Sequence, residues 1–351
     1  MSFTITVHPS NHQFIAKEGQ TILDAALDAG IVLPYSCKSG SCGSCKGKVL
    51  SGSIQESSAV SQVVGEEEKE QGLTLFCQAS ATSNLEIESH EIRMASDIQV
   101  RKMPVRVVDI EKMADDVMVL KLQMPAAEPF RYYAGQFVEF ILKDGRRRSY
   151  SMASAPSGNE PVELHIRHMP GGVFTDHVFG AGQTQMKVRE ILRAEGPLGS
   201  FFLREDSDKP IVFVVSGTGF APVKAMMEVI IEKGIARPVT LYWGGRRPKD
   251  LYMKDLVKQW EAQLPFFTFV PVISDALPED SWGGRTGFVH KAIIEDFPDL
   301  SAHQVYACGA PVMVSSARKE FVANCSLPEN EFYADSFTSE ADTAKLEAAK
   351  A

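Results

Sequence analysis

Four cysteines carry the most specific chemistry in this 351-residue chain. Cys37, Cys42 and Cys45 stand as C-x4-C-x2-C in PYSCKSGSCGSCKGKV, residues 34 to 49, and Cys77 follows in LTLFCQA. Three thiolates from one tight loop and a fourth from a distant strand form the ligand set of a plant-type [2Fe-2S] cluster. Gly40 and Gly43 allow backbone angles closed to other residues, and Ser39, Ser41 and Ser44 are small. The loop can therefore wrap closely enough for backbone amides to reach the sulfurs. A structural zinc site also uses four thiolates, but usually as two close pairs, whereas Cys77 stands alone 32 positions after Cys45. Disulfides belong to secreted chains, and the opening MSFTITVHPS has no basic stretch followed by an apolar one. No apolar run approaches the ~18 residues of a spanning helix. A reducing, cytoplasmic compartment is the expectation.

Four further constellations could hold phosphates or a reacting ring. RRRSYSMAS, residues 146 to 154, contains R-x-Y-S as Arg148, Ser149, Tyr150 and Ser151. Alone it reads more readily as a strand with basic ends. In HMPGGVFTDHV, Gly171 and Gly172 followed by Thr175 predict a turn and helix start whose amides could bind a pyrophosphate. VVSGTGFAPVKAMM places Gly217, Thr218 and Gly219 between a strand and a helix with Pro222 near its start. This is a phosphate-binding arrangement, but Pro222 replaces the last glycine of G-x-G-x-x-G. Cys308 in YACGAP falls at the carboxyl end of a predicted strand, where open α/β sheets bind ligands, although a lone cysteine there is often core. Cys325 matches no motif.

The elements that must position these residues change character along the chain. FTITV, QFIAK, a helix over ILDAALDA with Thr21 and Asp24 as its capping pair and Gly30 as its stop, and the cysteine loop predict a small α+β unit. GEEEKEQG, residues 65 to 72, is a solvated turn or helix, and residues 89 to 104 read as a linker. From about 104 to 204, VRVVDI, DVMVLKLQM, QFVEFIL, VELHIRH and QMKVREI alternate and predict a small antiparallel barrel. From about 210, apolar strands each followed by a helix, as in PIVFVVSG then APVKAMMEVIIEKG and PVTLYWGG then DLYMKDLVKQWEAQ, predict βαβ units and an open parallel sheet. The end, EADTAKLEAAKA, reads as a tail.

Length and charge agree with a multidomain globular protein. The chain is 44% apolar and carries a net charge of -9. Residues 1 to 97 hold 6 Lys/Arg and 12 Asp/Glu, leaving 30 and 33 for the rest. An acidic first block could steer toward a basic partner, and it argues against nucleic acid.

In this order the motifs resemble the ferredoxin-NAD(P)H reductase superfamily, in particular members with a plant-type ferredoxin fused ahead of a FAD and NAD module. These include the reductases of Rieske dioxygenases, of phenol and methane monooxygenases, and the CDP-6-deoxyglucoseen reductases. The likeness runs from residue 3 to about 338. It implies an α+β and α/β multidomain chain: a β-grasp ferredoxin domain over 1–97, an antiparallel β-barrel FAD domain over 101–205, an open parallel-sheet NAD(P)-binding α/β domain over 209–338, and a flexible tail over 339–351. It makes Cys37, Cys42, Cys45 and Cys77 the cluster ligands. Arg148 would bind the FAD pyrophosphate, Tyr150 would pack along the flavin, and Ser151 would sit near flavin N5. Ser149, His165 and Arg167 would join the same cofactor site. Gly171, Gly172, Val173 and Thr175 would supply the pyrophosphate turn. Gly217, Thr218, Gly219 and Pro222 would hold the nicotinamide dinucleotide, with Cys308, Gly309 and Pro311 beside its ring. In EFYADSF, Phe337 would lie near the flavin, and with Ser151 and Cys308 would complete the catalytic set. Asp335 and Ser336 depart from the Glu-Lys usual in relatives.

Electron counting explains why such a chain needs three cofactors. A nicotinamide delivers an electron pair as hydride, a [2Fe-2S] cluster accepts one electron, and a flavin can take the pair and release it singly. The implied activity is NADH-dependent reduction of FAD, then of the cluster, then of the terminal component of a multicomponent oxygenase. Two alternatives stay open: a partner that is a pyridoxamine-phosphate-dependent CDP-sugar 3-dehydrase, or a non-catalytic redox carrier or sensor. Arg246 and Arg247 follow the second parallel strand, where the adenosine ribose should lie, so NADPH stands as the alternative to NADH.

Overall fold

The computed structural model describes residues 1–89, 92–94, 98–126, 129–156, 158 and 160–337. The expected tail and part of the expected linker, residues 90, 91 and 95–97, lie outside the described residues. The chain divides into two compact units: Met1–Gln99 with Gly199–Phe201 and the chain from Ala334, and Val100–Leu198 with Phe202–Tyr333. No helix among the described residues is long and apolar enough to cross a membrane.

The first unit opens on a hairpin of β1 (Ser2–His8) and β2 (His12–Lys17), followed by α1 (Ile22–Asp28) and β3 (Ile31–Val32). Thr21 caps the helix as its spacing predicts, its Oγ1 accepting from the Asp24 amide at 3.1 Å. After the cysteine loop come β4 (Lys46–Ser51), β5 (Ile54–Glu56), α2 (Glu66–Glu70), β6 (Leu73–Leu75), β7 (Ala79–Ala81), β8 (Leu85–Glu88) and β9 (Arg93–Met94). The main sheet runs β2-β1-β8-β4-β6, with β1 and β8 parallel and the other pairs antiparallel. Ile22, Leu23, Ala25 and Ala26 of α1 are buried, as are Ile5 and Val7 of β1 and Ile87 of β8. A mixed sheet carrying one helix is the β-grasp arrangement.

The second unit contains two sheets. β10 (Arg101–Ala114), β11 (Val117–Gln123), β12 (Phe137–Ile141), β13 (Arg147–Ser151), β14 (Val162–Arg167), α3 (Val173–Phe179) and β15 (Ile191–Leu198) form the first part. Its strands run β13-β12-β15-β10-β11-β14, every pair antiparallel, and a bridge between Met152 and Leu164 joins the two ends into a barrel. Val105, Leu120, Leu122, Val138, Phe140 and Ile166 fill its core. QMKVREI departs from the strand its alternation predicts. Met186 is buried, but its amide bonds to the His177 carbonyl and Arg189 takes a φ of 76°, so the segment turns and β15 starts only at Ile191.

The second part contains β16 (Ile211–Ser216), α4 (Phe220–Lys233), β17 (Val239–Gly245), α5 (Lys254–Gln263), β18 (Phe267–Ile273), β19 (Arg285–Thr286), α6 (Val289–Asp296), β20 (Gln304–Gly309) and α7 (Pro311–Asn324). A final strand, β21 (Phe332–Ser336), starts in this unit and ends in the first. The sheet runs β19-β18-β17-β16-β20-β21, and β16 lies parallel to both β17 and β20. The order reverses between β16 and β20, so a ligand crevice belongs at the carboxyl ends of these two strands. The helix expected from Asp250 begins only at Lys254, because Asp250 accepts from the amides of Arg246 and Arg247 and closes a separate turn.

Candidate functional site

Backbone pairing brings the four expected cluster ligands together in the first unit. β4 and β6 pair antiparallel with Lys46 opposite Leu75, and the Phe76 amide donates to the Cys45 carbonyl at 3.0 Å. Cys45 and Cys77 thus meet although 32 positions separate them. Gly40 and Gly43 take φ values of 85° and 73°, the left-handed turns that let the loop close. The Cys42 amide points at Cys37 Sγ and the Ser44 amide at Cys42 Sγ, both at 3.4 Å. Cys42, Cys45 and Cys77 are buried and Cys37 is half-buried.

Among the described residues no three His, Cys, Asp or Glu side chains group as the ligands of one metal ion. The thiols fall instead into two pairs. The Cys42 thiol is held well above its usual range by its contact with Cys37 and by burial, and that of Cys45 by its contact with Cys77 and by burial. Two pairs of thiolates fit a two-iron cluster, which takes two protein ligands on each iron. None of the six cysteines is in a disulfide.

The second unit gathers the remaining motifs. On β13, Arg148 is half-buried, Ser149 is exposed with its Oγ 3.2 Å from Glu139, and Ser151 is buried. The half-buried Tyr150 packs against Phe140 and Phe174, with ring centroids 5.9 and 5.3 Å away. The glycine turn is closed by its own hydrogen bonds. The Gly171 amide donates to Asp176 at 3.1 Å and the Gly172 amide to the Met169 carbonyl at 2.8 Å. Thr175 Oγ1 braces the turn through the Met169 carbonyl at 2.9 Å. The glycines therefore shape the turn, and the amides at the start of α3, from Val173 onward, are what it can offer a phosphate.

At the reversal of the parallel sheet, the two nucleotide motifs pack backbone to backbone. A Cβ on Gly219 would stand 2.2 Å from the Cys308 carbonyl oxygen, and one on Gly309 would stand 2.2 Å from Ser216 Oγ. Cys308 is fully buried, and Pro311 opens α7. Gly217 and Thr218 form a single 3-10 turn with Gly219, and Pro222 lies within the first turn of α4. Trp243 holds this loop from behind, donating to the Gly217 carbonyl at 3.1 Å and stacking on Phe220 at 4.1 Å. Arg167 of β14 stands against Gly217, where an added Cβ would lie 2.7 Å from its Nη1, and its Nε donates to Asp116 at 2.8 Å. The flavin-type strand and the nucleotide loop are therefore neighbours.

Sequence reasoning missed the buried polar chain that joins them. His165 Nε2 lies 2.7 Å from Glu163 and Nδ1 lies 2.7 Å from the Tyr252 hydroxyl. A carboxylate can only accept, so Nε2 carries the proton and Tyr252 donates to Nδ1. Lys224 of α4 reaches Glu163 at 3.1 Å, Glu228 at 2.6 Å and the Ala153 carbonyl at 3.1 Å. Glu228 in turn accepts from the Ala155 amide at 2.8 Å. Helix α4 is thereby fastened to the chain just after Ser151. Burial raises the Glu163 carboxyl, but His165 and Lys224 outweigh it and hold the group at about 2. That stability is fully present above an unfolded carboxylate value near 4.5 and is lost as pH falls toward 2. Lys224→Met should cost about 3 kcal/mol and move the acid-unfolding midpoint upward, as measured by thermal and acid melts followed by circular dichroism.

Other expected site residues have separate settings. Arg247 is committed to Asp280 by two hydrogen bonds of 2.6 and 2.8 Å, whereas Arg246 is exposed and makes no ion pair among the described residues. Phe337 is half-buried directly after β21 and belongs to the first unit.

Comparison with known proteins spans nearly the whole chain. Residues 5–82 match the family model described as "2Fe-2S iron-sulfur cluster binding domain", 104–203 "Oxidoreductase FAD-binding domain", and 213–319 "Oxidoreductase NAD-binding domain". The chain is 42% identical over 337 residues to the CDP-6-deoxy-L-threo-D-glycero-4-hexulose-3-dehydrase reductase of Yersinia pestis, covering 96% of this chain and 99% of that one. It is 35% identical over 339 residues to terephthalate 1,2-dioxygenase reductase component 1 of Comamonas sp., covering 96% and 98%. A crystal structure of the Amycolatopsis cytochrome P450 reductase GcoB superposes with a TM-score of 0.73 at 33% identity, covering 96% of this chain and 99% of that one.

Proposed function

The chain belongs to the ferredoxin-NAD(P)H reductase superfamily, in the branch with an N-terminal [2Fe-2S] domain ahead of FAD- and NAD-binding domains, and from that premise we propose that it passes electrons from NADH through FAD and the cluster to a separate terminal component. The chain is an NAD(P)H-dependent oxidoreductase. Its residues fit the three groups. Cys37, Cys42, Cys45 and Cys77 would hold the cluster; Arg148, Tyr150, Ser151, His165, Arg167 and the start of α3 would hold FAD; Gly217 to Gly219, Pro222, Cys308, Gly309 and Pro311 would receive the nicotinamide dinucleotide. FAD supplies the exchange between a two-electron donor and a one-electron acceptor. What this chain adds is position. Ser151 and Cys308 would line the hydride-transfer face. The proposed domain limits remain 1–97, 101–205 and 209–338.

The observation that carries this reading is the placement of Arg167 and the β14 strand against Gly217 within one unit, which supports a flavin and a nicotinamide meeting there. The test is direct. Purified protein should show flavin absorbance near ~450 nm and reduce ferricyanide with NADH. Absence of either would end the reductase reading in favour of a redox carrier. For the acceptor, the terephthalate dioxygenase reductase supports an oxygenase component, whereas the Yersinia pestis relative supports a sugar dehydrase. Co-purification of the acceptor decides between them. We place the protein in the reducing cytoplasm.

Arg247 is committed to Asp280, which leaves Arg246 as the arginine of this pair proposed to meet a 2'-phosphate. NADH should therefore be the better donor. Arg246→Ala should leave kcat/KM for NADH within about twofold and lower that for NADPH by up to about tenfold, or ~1.4 kcal/mol. Equal values for both donors, unchanged by the substitution, would remove this arginine as a discriminator.

A further inference from the structure

The cluster loop contains three Ser-Cys dipeptides: Ser36-Cys37, Ser41-Cys42 and Ser44-Cys45. Each serine bonds to one of three consecutive residues near the far end of the chain. Ser36 Oγ donates to Asp335, Ser41 Oγ lies 3.0 Å from Ser336 Oγ, and Ser44 Oγ donates to the Ala334 carbonyl at 2.6 Å. All six residues belong to the first unit. Ser36, Ala334, Asp335 and Ser336 are at most 5% exposed. Ser36 and Ser41 reach the side chains of adjacent strand residues, which point to opposite faces, so the loop grips the segment from two sides.

We propose that Ala334–Ser336 is a clasp on the cluster loop and that Asp335 is its positioning residue, holding Ser36 and placing a carboxylate beside the cluster. The inference rests on the reading of the four cysteines as cluster ligands. Each hydroxyl is one residue from a ligand, so fixing the three serines fixes the backbone that aims three of the four sulfurs. Partners of this kind outside the ligands govern how tightly a metal centre is held. The carboxylate adds an electrostatic effect: a negative charge close to a cluster lowers its reduction potential.

The test uses the full-length holoprotein and two substitutions that separate the roles. Asp335→Ala removes the acceptor and the charge; Asp335→Asn keeps an acceptor for Ser36 and removes only the charge. Cluster loss to a chelator is followed by visible circular dichroism, and the cluster midpoint potential by an EPR-monitored redox titration. Asp335→Ala should speed cluster loss by about tenfold or more. Asp335→Asn should keep the loss rate within about twofold of the parent while moving the potential upward. Should Asp335→Ala fail to accumulate, Ser44→Ala cuts the Ala334 bond together with the hydroxyl's contact to Cys42 and should still speed loss severalfold. Parental loss rates in Asp335→Ala and Ser44→Ala, with a parental potential in Asp335→Asn, would overturn the clasp. If the unsubstituted protein carries no cluster signal, the ligand reading itself falls, a result distinguishable from failure of the clasp alone.

Discussion

Cys77→Ser should erase the visible and EPR signature of the cluster while NADH-dependent ferricyanide reduction stays within about twofold of the parent. The asymmetry follows from where the parts lie. Cys77 is buried in the first unit and meets Cys45 through the β4-β6 pairing, whereas Ser151, Cys308 and the Gly217–Gly219 turn all lie in the second unit. A serine hydroxyl is a far poorer ligand for iron than a thiolate, and one iron would be left with a single protein sulfur. Reduction of a one-electron protein acceptor such as cytochrome c should fall by about 10- to 100-fold, because that transfer is expected to leave from the cluster. Metal binding also contributes to folding stability, so the first unit of the variant should melt earlier than the parent. Loss of ferricyanide reduction in a folded variant would contradict the proposed electron order.

The cluster site was legible because its chemistry is local. Three of the proposed ligands come from one loop, so their spacing survives in the sequence, and the lone Cys77 before a short strand is the proposed fourth. The Thr21 cap was readable for the same reason, its partner lying three residues away. Contacts over long separations left no such trace. His165 meets Tyr252 across 87 positions, and Ser36 meets Asp335 across 299. No periodicity marks either pair. Asp335 and Ser336 stood out only as departures from the pattern of relatives, and their bonds to the cluster loop give those departures a physical use. QMKVREI failed for a different reason. Alternation reports one buried face, and a turn that buries Met186 while exposing Val188 produces it, with only Arg189 and Glu190 bonding to Val107 of β10.

Gly219→Ala should lower kcat/KM for NADH by about 100-fold and destabilise the second unit by roughly 3 kcal/mol, while leaving the cluster spectrum intact. The reason is space rather than backbone angle. Gly219 has φ -58°, which alanine accepts readily. Its missing Cβ, however, would stand 2.2 Å from the Cys308 carbonyl oxygen, 2.6 Å from that carbonyl carbon and 2.9 Å from the Gly309 nitrogen. All three are backbone atoms, so no side-chain rotation relieves the clash. The ends of β16 and β20 must separate, and Trp243 and Arg167, which press on Gly217, resist a compensating shift of the loop. A displacement of about 1 Å at the nicotinamide site is enough to spoil hydride geometry. Cys308→Ala is the informative control. It removes the buried thiol without adding an atom, so it should slow flavin reduction by only about tenfold, ~1.4 kcal/mol, in stopped-flow measurements. An unchanged rate would return Cys308 to the core of the sheet. An unchanged kcat/KM in Gly219→Ala would mean that the nucleotide does not bind where β16 and β20 meet.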